Sequence, residues 1–405
     1  MATVSIKPIE KGCIHRICSG QVVLDLATAV KELVENSLDA GATTIEVKLK
    51  DYGSESIEVA DNGSGVAPEN YEALTVKYST SKINTFNDLE SLNSFGFRGE
   101  ALSSLCALSK VSIVTRTKNE EMATRVEYDH GGKICTQATA ARAVGTLVCV
   151  KDLFATLPVR HKEFKRNLKR EYGRLISLLQ AYALICTSVR MICTHQAKQG
   201  SRSTVVSTQG GGSLRGNLVT IFGAVTAAAM MQLEVDLSVL GCHVSGYLSK
   251  ATAGCGRASG DRQFFFLNGR PVDLPKVGKL MNEIYRSFNM SQFPMVVIDF
   301  KIPTNNYDIN VTPDKRKVFL QEEKTLLAEL KEVLLGLYEP SRNTFHVQKV
   351  DVRPSHKAQE VTAAASNREP AVELVDENQR NPTGEPAAVK SLERDDLDLG
   401  RAAKR

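Results

Sequence analysis

A carboxylate and an amide stand four residues apart in Lys31-Glu-Leu-Val-Glu-Asn-Ser-Leu-Asp-Ala40, with Glu32 and Asn36 one helical turn from each other. At that spacing two side chains can converge on one bound group. A carboxylate can take a proton from water, and an amide oxygen is a hard ligand suited to Mg²⁺. Leu26, Val30, Leu33, Val34 and Leu38, with small Ser37, recur at helical spacing on the other side. The expectation is therefore a helix that packs one face and leaves the other free for chemistry. Taken alone, such a pair is equally an ordinary solvated helix face, so the stretches around it decide its meaning.

Two glycine clusters follow. Asp61-Asn-Gly-Ser-Gly-Val66 puts an acid at the mouth of a strand, and Gly63 and Gly65 let backbone come close to a ligand. The same residues also suit a plain turn. In Phe95-Gly-Phe-Arg-Gly-Glu-Ala-Leu102, Gly96 and Gly99 open onto a helix-like run to Leu108, whose first N–H groups form a ready phosphate cradle. The sequence contains no Gly-x-x-x-x-Gly-Lys-[Ser/Thr], which excludes a Walker-type site, and no strand precedes the second cluster in the Rossmann manner. Much later, Tyr307-Asp-Ile-Asn-Val-Thr-Pro-Asp-Lys-Arg-Lys317 forms a polar loop rich in cations.

The elements that must position these residues are legible from periodicity. Thr44–Lys50 and Ser56–Ala60 alternate apolar with polar residues around Asp51-Tyr-Gly-Ser54, which predicts an antiparallel hairpin. Pro68–Thr75 is expected to be a short helix. Strands over 110–116, 123–128 and 145–150 complete a first region of helices on one face of a mainly antiparallel sheet. After Phe154-Ala-Thr-Leu-Pro-Val-Arg-His-Lys-Glu-Phe164 a long helix is expected to about Cys186, with Lys162, Lys165, Arg166, Lys169, Arg170 and Arg174 in its basic half. These cations suit DNA phosphates, although a solvated face is the commoner fate of such a stripe. The stretch from Lys198 to Arg215, with Gly210-Gly-Gly212, is read as a joint. Strands over 233–237, 243–248, 262–267 and 294–300 and helices near 274–288 and 322–337 form a second domain. Beyond Tyr338 the aromatic residues almost vanish, and a disordered tail is expected.

Composition sets the broad class. A chain of 405 residues suggests two or three domains, and 42% hydrophobic with 24% charged residues is globular. The 51 Lys and Arg exceed the 46 Asp and Glu by only five, too mild an excess to identify a nucleic-acid partner. Nine scattered cysteines without a Cys-x-x-Cys pair argue against structural zinc and suit a reduced compartment. Neither a cleavable secretion signal nor a membrane span is expected.

Glu32-x-x-x-Asn36, Asp61-x-Gly-x-Gly65, Gly96-Phe-Arg-Gly-Glu-Ala-Leu102 and Gly145-Thr146 together resemble the GHKL ATPases. The wording of the third motif, with Thr80-Ser-Lys-Ile83, Phe154-x-x-x-Pro158-x-Arg160-x-Lys162 and Asn310-Val-Thr-Pro-Asp-Lys315, resembles the MutL family of DNA mismatch repair proteins. Lys31 to Ala42 and Ile17-Cys-Ser-Gly-Gln-Val-Val23 look like its eukaryotic PMS-type subunit, and the resemblance covers about residues 5–338.

The resemblance implies an α+β chain: a GHKL (Bergerat) ATPase α/β sandwich over 1–205, a ribosomal-protein-S5-like α/β domain over 206–338 and a disordered tail over 339–405. By motif, Glu32 would activate water and Asn36 would bind Mg²⁺. Asp61 would accept from the adenine amino group of ATP, Gly63 and Gly65 would admit the base, and Thr146 would assist. Thr80, Ser81 and Lys82, with Gly96, Phe97, Arg98, Gly99 and Glu100, would wrap the phosphates in a lid. Lys315 would reach the γ-phosphate from the second domain. Implied partners are a MutL-family subunit, a MutS-type mismatch-recognition complex and double-stranded DNA bound without sequence preference, in the nucleus and at no membrane. An Asp-Gln-His-Ala-x-x-Glu-Arg-like endonuclease motif is absent, so endonuclease activity and constitutive dimerisation are not expected, and the tail resembles a linker cut short. The competing expectation is a non-catalytic module that binds ATP, DNA or partners without turnover.

Overall fold

The computed structural model describes residues 8–82, 94–96 and 98–339. The expected lid residue Phe97, Ile83 of the Thr-Ser-Lys stretch and the expected tail from residue 340 lie outside the described residues.

The first layer begins with α1 (Lys11–Val22) and α2 (Leu26–Asp39). Asp25 caps α2, its carboxylate accepting from the Thr28 N–H at 2.7 Å, and the helix stops before Gly41 in the left-handed region at φ +72°. The strands β1 (Thr44–Lys50) and β2 (Ser56–Asp61) form the expected hairpin. After α3 (Ala101–Leu108) come β3 (Lys110–Arg116), β4 (Ala123–Tyr128), β5 (Ile134–Ala140) and β6 (Gly145–Lys151). Two helices, α4 (Pro158–Arg166) and α5 (Leu168–Ile185), lead to β7 (Arg190–Gln196) and β8 (Arg202–Ser207).

These eight strands make one sheet in the order β5-β4-β3-β6-β2-β1-β7-β8, antiparallel throughout except where β1 meets β7. Register explains why one face is apolar. Val47 lies opposite Val59, Val59 opposite Val148, Val148 opposite Ile113 and Ile113 opposite Val126, a buried row across five strands. Val30 and Leu33 of α2, Leu105 of α3, and Leu175 and Leu179 of α5 close over the same core. Burying each such side chain contributes about 1.5–3 kcal/mol.

The second layer starts with α6 (Leu214–Phe222) and α7 (Ala224–Ala228). Its sheet runs β12-β11-β13-β10-β9, formed by β9 (Met230–Leu237), β10 (Cys242–Ser249), β11 (Gln263–Leu267), β12 (Arg270–Val272) and β13 (Val296–Lys301). On one face α8 (Pro275–Phe288) and α9 (Glu323–Tyr338) bury Met281, Ile284, Leu326, Leu330 and Tyr338. On the other, Phe264, Phe266 and Val297 pack with Leu218 of α6 and with Ala181 and Leu184 of α5. Helix α5 thus belongs to both cores. The small hairpin β14 (Tyr307–Asp308) and β15 (Phe319–Leu320) flanks the loop that carries Lys315.

Several expectations are corrected. Residues 68–75 form two short 3₁₀ turns, Pro68–Asn70 and Ala73–Thr75, in place of one helix. The long basic helix is broken at Asn167, whose ψ of 18° ends α4. The stretch expected to be a joint contains β8, which pairs with β7 and runs past the expected division at 205/206 to Ser207. The face of α2 expected to be free is covered: Lys31, Glu32 and Glu35 are all buried. All nine cysteines are free thiols, and among the described residues no helix is long and apolar enough to cross a membrane.

Candidate functional site

The polar side of α2 meets the second layer in a buried ionic knot. The Lys31 ammonium donates to Glu32 Oε1 at 3.0 Å and to Glu35 Oε2 at 2.8 Å. Tyr182 of α5 donates to Glu35 Oε1 at 2.6 Å. From the second layer, Lys315 Nζ stands 3.7 Å from Glu32 Oε2 and 3.8 Å from Glu35 Oε2, and Arg270 Nη1 stands 3.5 Å from Glu35 Oε1. Three cations therefore face two carboxylates, one positive charge in excess. Burial opposes ionisation of Glu32, but Lys31 and then Lys315 outweigh it and hold the carboxyl below its usual range. Burial pulls Lys315 below the ordinary lysine range despite both acids, with Lys31 and Arg270 adding to the shift. Tyr182 is pushed well up by burial and then by Glu35, so its hydroxyl stays a donor.

The second glycine cluster lies over this knot. The N–H groups of Phe95 and Gly96 donate to the two oxygens of Asp39 at 2.8 and 2.9 Å. Lys82 Nζ lies 2.5 Å from Asp39 Oδ2 and 3.2 Å from Asn36 Oδ1. A carboxylate thus faces the N–H groups of Phe95 and Gly96, of which Gly96 belongs to the expected phosphate lid, and an ammonium faces the oxygen expected to bind metal. The donor set fits the implied groups: two hard oxygens already hold one positive charge, and two backbone donors already hold one negative charge. Gly96 itself is buried, and a Cβ there would fall 2.9 Å from Lys82 Nζ. Thr80 Oγ1 accepts from the Lys82 N–H at 3.2 Å, whereas Ser81 is exposed. Arg98 reaches across to donate to Asn310 Oδ1 in the loop that bears Lys315. Gly99 sits against Ser79 with its carbonyl accepting from the Tyr78 N–H, and the Glu100 carbonyl accepts from the Ser104 N–H at the start of α3. Among the described residues no cluster of three or more His, Cys, Asp or Glu could hold a metal on its own.

Asp61 is buried at the end of β2. Ser37 Oγ donates to Oδ2 at 2.8 Å, while the N–H groups of Gly63 and Thr146 donate to Oδ1 at 2.9 and 3.1 Å. Arg142 ties the same corner together, donating to the carbonyls of Asp61 and Thr146 at 2.8 and 2.9 Å. Gly65 has φ +75°, and a Cβ there would lie 2.1 Å from the Arg116 carbonyl oxygen, so the close approach that requires glycine is to β3.

The six basic residues expected to face DNA divide between α4 and α5. Arg166 pairs with Glu163 and Arg174 with Glu171, the latter at 3.1 Å. Lys165 lines a shallow depression with Asp51, Glu55 and Asp152. Arg174 lines a separate cavity of about 950 Å³ between the two layers, together with Lys31, Lys279, Arg286 and Arg316.

Sequence reasoning missed Lys31, Glu35, Asp39, Tyr182 and Arg270. Part of the signal was present: Lys31 and Glu35 are one turn apart, and Asp39 follows Asn36 by three. Arg270 follows the tight Asn268-Gly269 turn, but nothing local says that its guanidinium is buried.

Comparison with known proteins bears on the family and the fold. Residues 24–147 match the family described as histidine kinase-, DNA gyrase B-, and HSP90-like ATPase, and residues 218–339 match DNA mismatch repair protein, C-terminal domain. The chain is 50% identical over 346 residues to DNA mismatch repair protein PMS1 of Arabidopsis thaliana, covering 85% of this chain and 37% of that protein. It is 47% identical over 406 residues to mismatch repair endonuclease PMS2 of Homo sapiens, covering 96% of this chain and 47% of that one. The chain thus spans less than half the length of these relatives. Among solved structures, the N-terminal domain of a DNA repair protein matches with a TM-score of 0.74 and 40% identity, covering 81% of this chain and 98% of that one. The Aquifex aeolicus MutL ATPase domain complexed with ADP has the same fold at 24% identity and a TM-score of 0.51, covering 68% of this chain and 91% of that one. Fold, motifs and relatives agree that this chain belongs to the MutL family of DNA mismatch repair proteins, in its PMS-type branch.

Proposed function

We propose that the chain is the ATP-binding and ATP-hydrolysing N-terminal portion of a PMS-type mismatch repair protein, with an ATPase domain that runs through β8 and a transducer domain from there to about residue 338. One observation carries this reading: Lys315 of the second layer lies 3.7 Å from the buried carboxylate of Glu32, so a base and a remote cation meet at one point. Glu32 takes a proton from the water that attacks the γ-phosphate, and Lys315 offsets the charge on the transferred group. Asp61 accepts from the adenine amino group, with Thr146 and Gly63 fixing its carboxylate. Lys82 and the N–H groups at 95 and 96 exchange Asp39 for phosphate oxygens. Asn36 Oδ1 would hold Mg²⁺, which when bound would neutralise charge on the phosphates.

Closure of residues 94–96 and Arg98 against Lys315 and Asn310 then couples nucleotide to the second domain, and through it to a MutL-family partner subunit and a MutS-type complex in the nucleus. Double-stranded DNA, bound through its phosphates, is the expected nucleic acid. The deciding measurement is phosphate release by the purified chain with ATP and Mg²⁺. Steady turnover that Glu32→Gln abolishes supports the enzyme. Tight ATP binding with no turnover in either form would instead support the non-catalytic module.

A further inference from the structure

The peptide units at 94–96 are held from two opposite sides. Their N–H groups at Phe95 and Gly96 point to Asp39 of α2. Their carbonyls point to the second layer, where Arg270 Nη2 donates to Ser94 O at 3.0 Å, and Arg270 Nη1 donates to Phe95 O at 3.1 Å. Lys315 Nζ shares the Phe95 carbonyl at 3.1 Å. The Arg270 guanidinium also lies 4.9 Å from the centre of the Phe95 ring, and Glu35 sits behind it. Arg270 as a whole is buried, with only 8% of its surface exposed.

A planar fork that grips two successive carbonyls fixes the plane of the peptides between them. Fixing the carbonyls towards the second layer forces the attached N–H groups to face Asp39 and Asn36. We infer that Arg270 is a positioning residue for phosphate binding: it orients the backbone of 94–96 so that its N–H groups form the cradle. This role rests on the ATP reading above. It assigns to the second layer the job of shaping a site whose donors belong to the first, and Asp39 acts as a carboxylate that keeps the donors aligned until phosphate replaces it.

The test compares the unaltered chain with Arg270→Gln and Arg270→Lys. Hydrogen exchange at the Phe95 and Gly96 amides is expected to quicken on the order of tenfold or more, while exchange within β11 and β13 stays unchanged. Affinity for ATP is expected to fall on the order of tenfold in Arg270→Gln and less in Arg270→Lys, with affinity for adenosine, which lacks phosphate, unaltered. Where Arg270→Gln does not fold, Arg270→Lys carries the test, because it keeps the charge and loses the fork. Equal ATP affinity in the variants overturns the positioning role alone. Exchange that rises equally across β11 and β13 also overturns it, since that marks a structural residue. An unaltered chain that binds no ATP overturns the proposed function and this role with it.

Discussion

Lys31 and Glu32, neighbours in the chain, form a buried ion pair with Nζ 3.0 Å from Oε1. The other oxygen, Oε2, is 3.7 Å from Lys315, beyond hydrogen-bond range, and on the proposed mechanism it is the one that would take a proton from water. Glu32→Gln keeps an acceptor for Lys31 and removes the base. It is expected to bind ATP about as the unaltered chain does and to lose about 10²–10⁴-fold in kcat. Phosphate release and nucleotide binding on the same preparation check this, and parallel loss of both would remove Glu32 from the chemistry.

Asp61 receives three donors, from Ser37, Gly63 and Thr146. Asp61→Asn puts an amide where an acceptor is needed, and the expected result is at least about tenfold weaker ATP binding, the scale of one charge-assisted hydrogen bond. The ratio of ATP to GTP affinity is the sharper readout. A ratio unchanged by the substitution would count against a role at the base.

The pH profile separates Glu32 from Lys315. Glu32 is held below the ordinary 4.5 of a glutamate, so it is ionised at neutral pH and the acid limb of kcat/KM is expected below that value. Lys315 is lowered from 10.5 by burial, so the charge offered to the γ-phosphate is lost as pH rises, and the alkaline limb is expected below 10.5. Lys315→Arg keeps its charge far above that range and is expected to move the alkaline limb upwards. Rate against pH for the two forms decides it; coincident alkaline limbs would assign that limb to another group.

For DNA, reversing Lys165, Arg166, Lys169 and Arg170 to Glu is expected to weaken duplex binding and flatten its salt dependence by about 0.9 in log–log slope for each phosphate no longer neutralised. ATP turnover without DNA should stay within about twofold, because these exposed helix positions lie outside the ionic knot. A slope that does not move would return α4 and the start of α5 to the reading as a solvated, ion-paired face, for which the Arg166–Glu163 and Arg174–Glu171 pairs already argue.

The strands that alternate cleanly, β1, β2, β3, β4 and β6, were legible from residue type because a sheet with one buried face imposes a period of two. β5, β7 and β8 were not foreseen. β5 and β8 are mostly exposed, so no periodic apolar signal marks them. β7 does alternate, but its signal, squeezed between a long helix and a glycine-rich stretch, was passed over. Asn167 breaks a helix without Gly or Pro, which composition alone does not announce. At the site, motif residues such as Glu32, Asn36 and Asp61 could be named in advance. Arg270 and Tyr182 could not, because they come from elements more than a hundred residues away, and only tertiary packing sets them against Glu35.

Helix α5 gives Leu175 and Leu179 to one core and Ala181 and Leu184 to another, and that double membership is expected to govern how the chain melts. Dividing the chain between Ser207 and Leu214 would strip the apolar cover from the far side of α5. It would also take Arg270 and Lys315 from Glu35, and breaking a buried ion pair by removing one partner costs about 3–5 kcal/mol. Domains of this size hold only about 5–15 kcal/mol in total. The two layers are therefore expected to unfold as one cooperative unit, and calorimetry that resolved two transitions would show that α5 does not couple them.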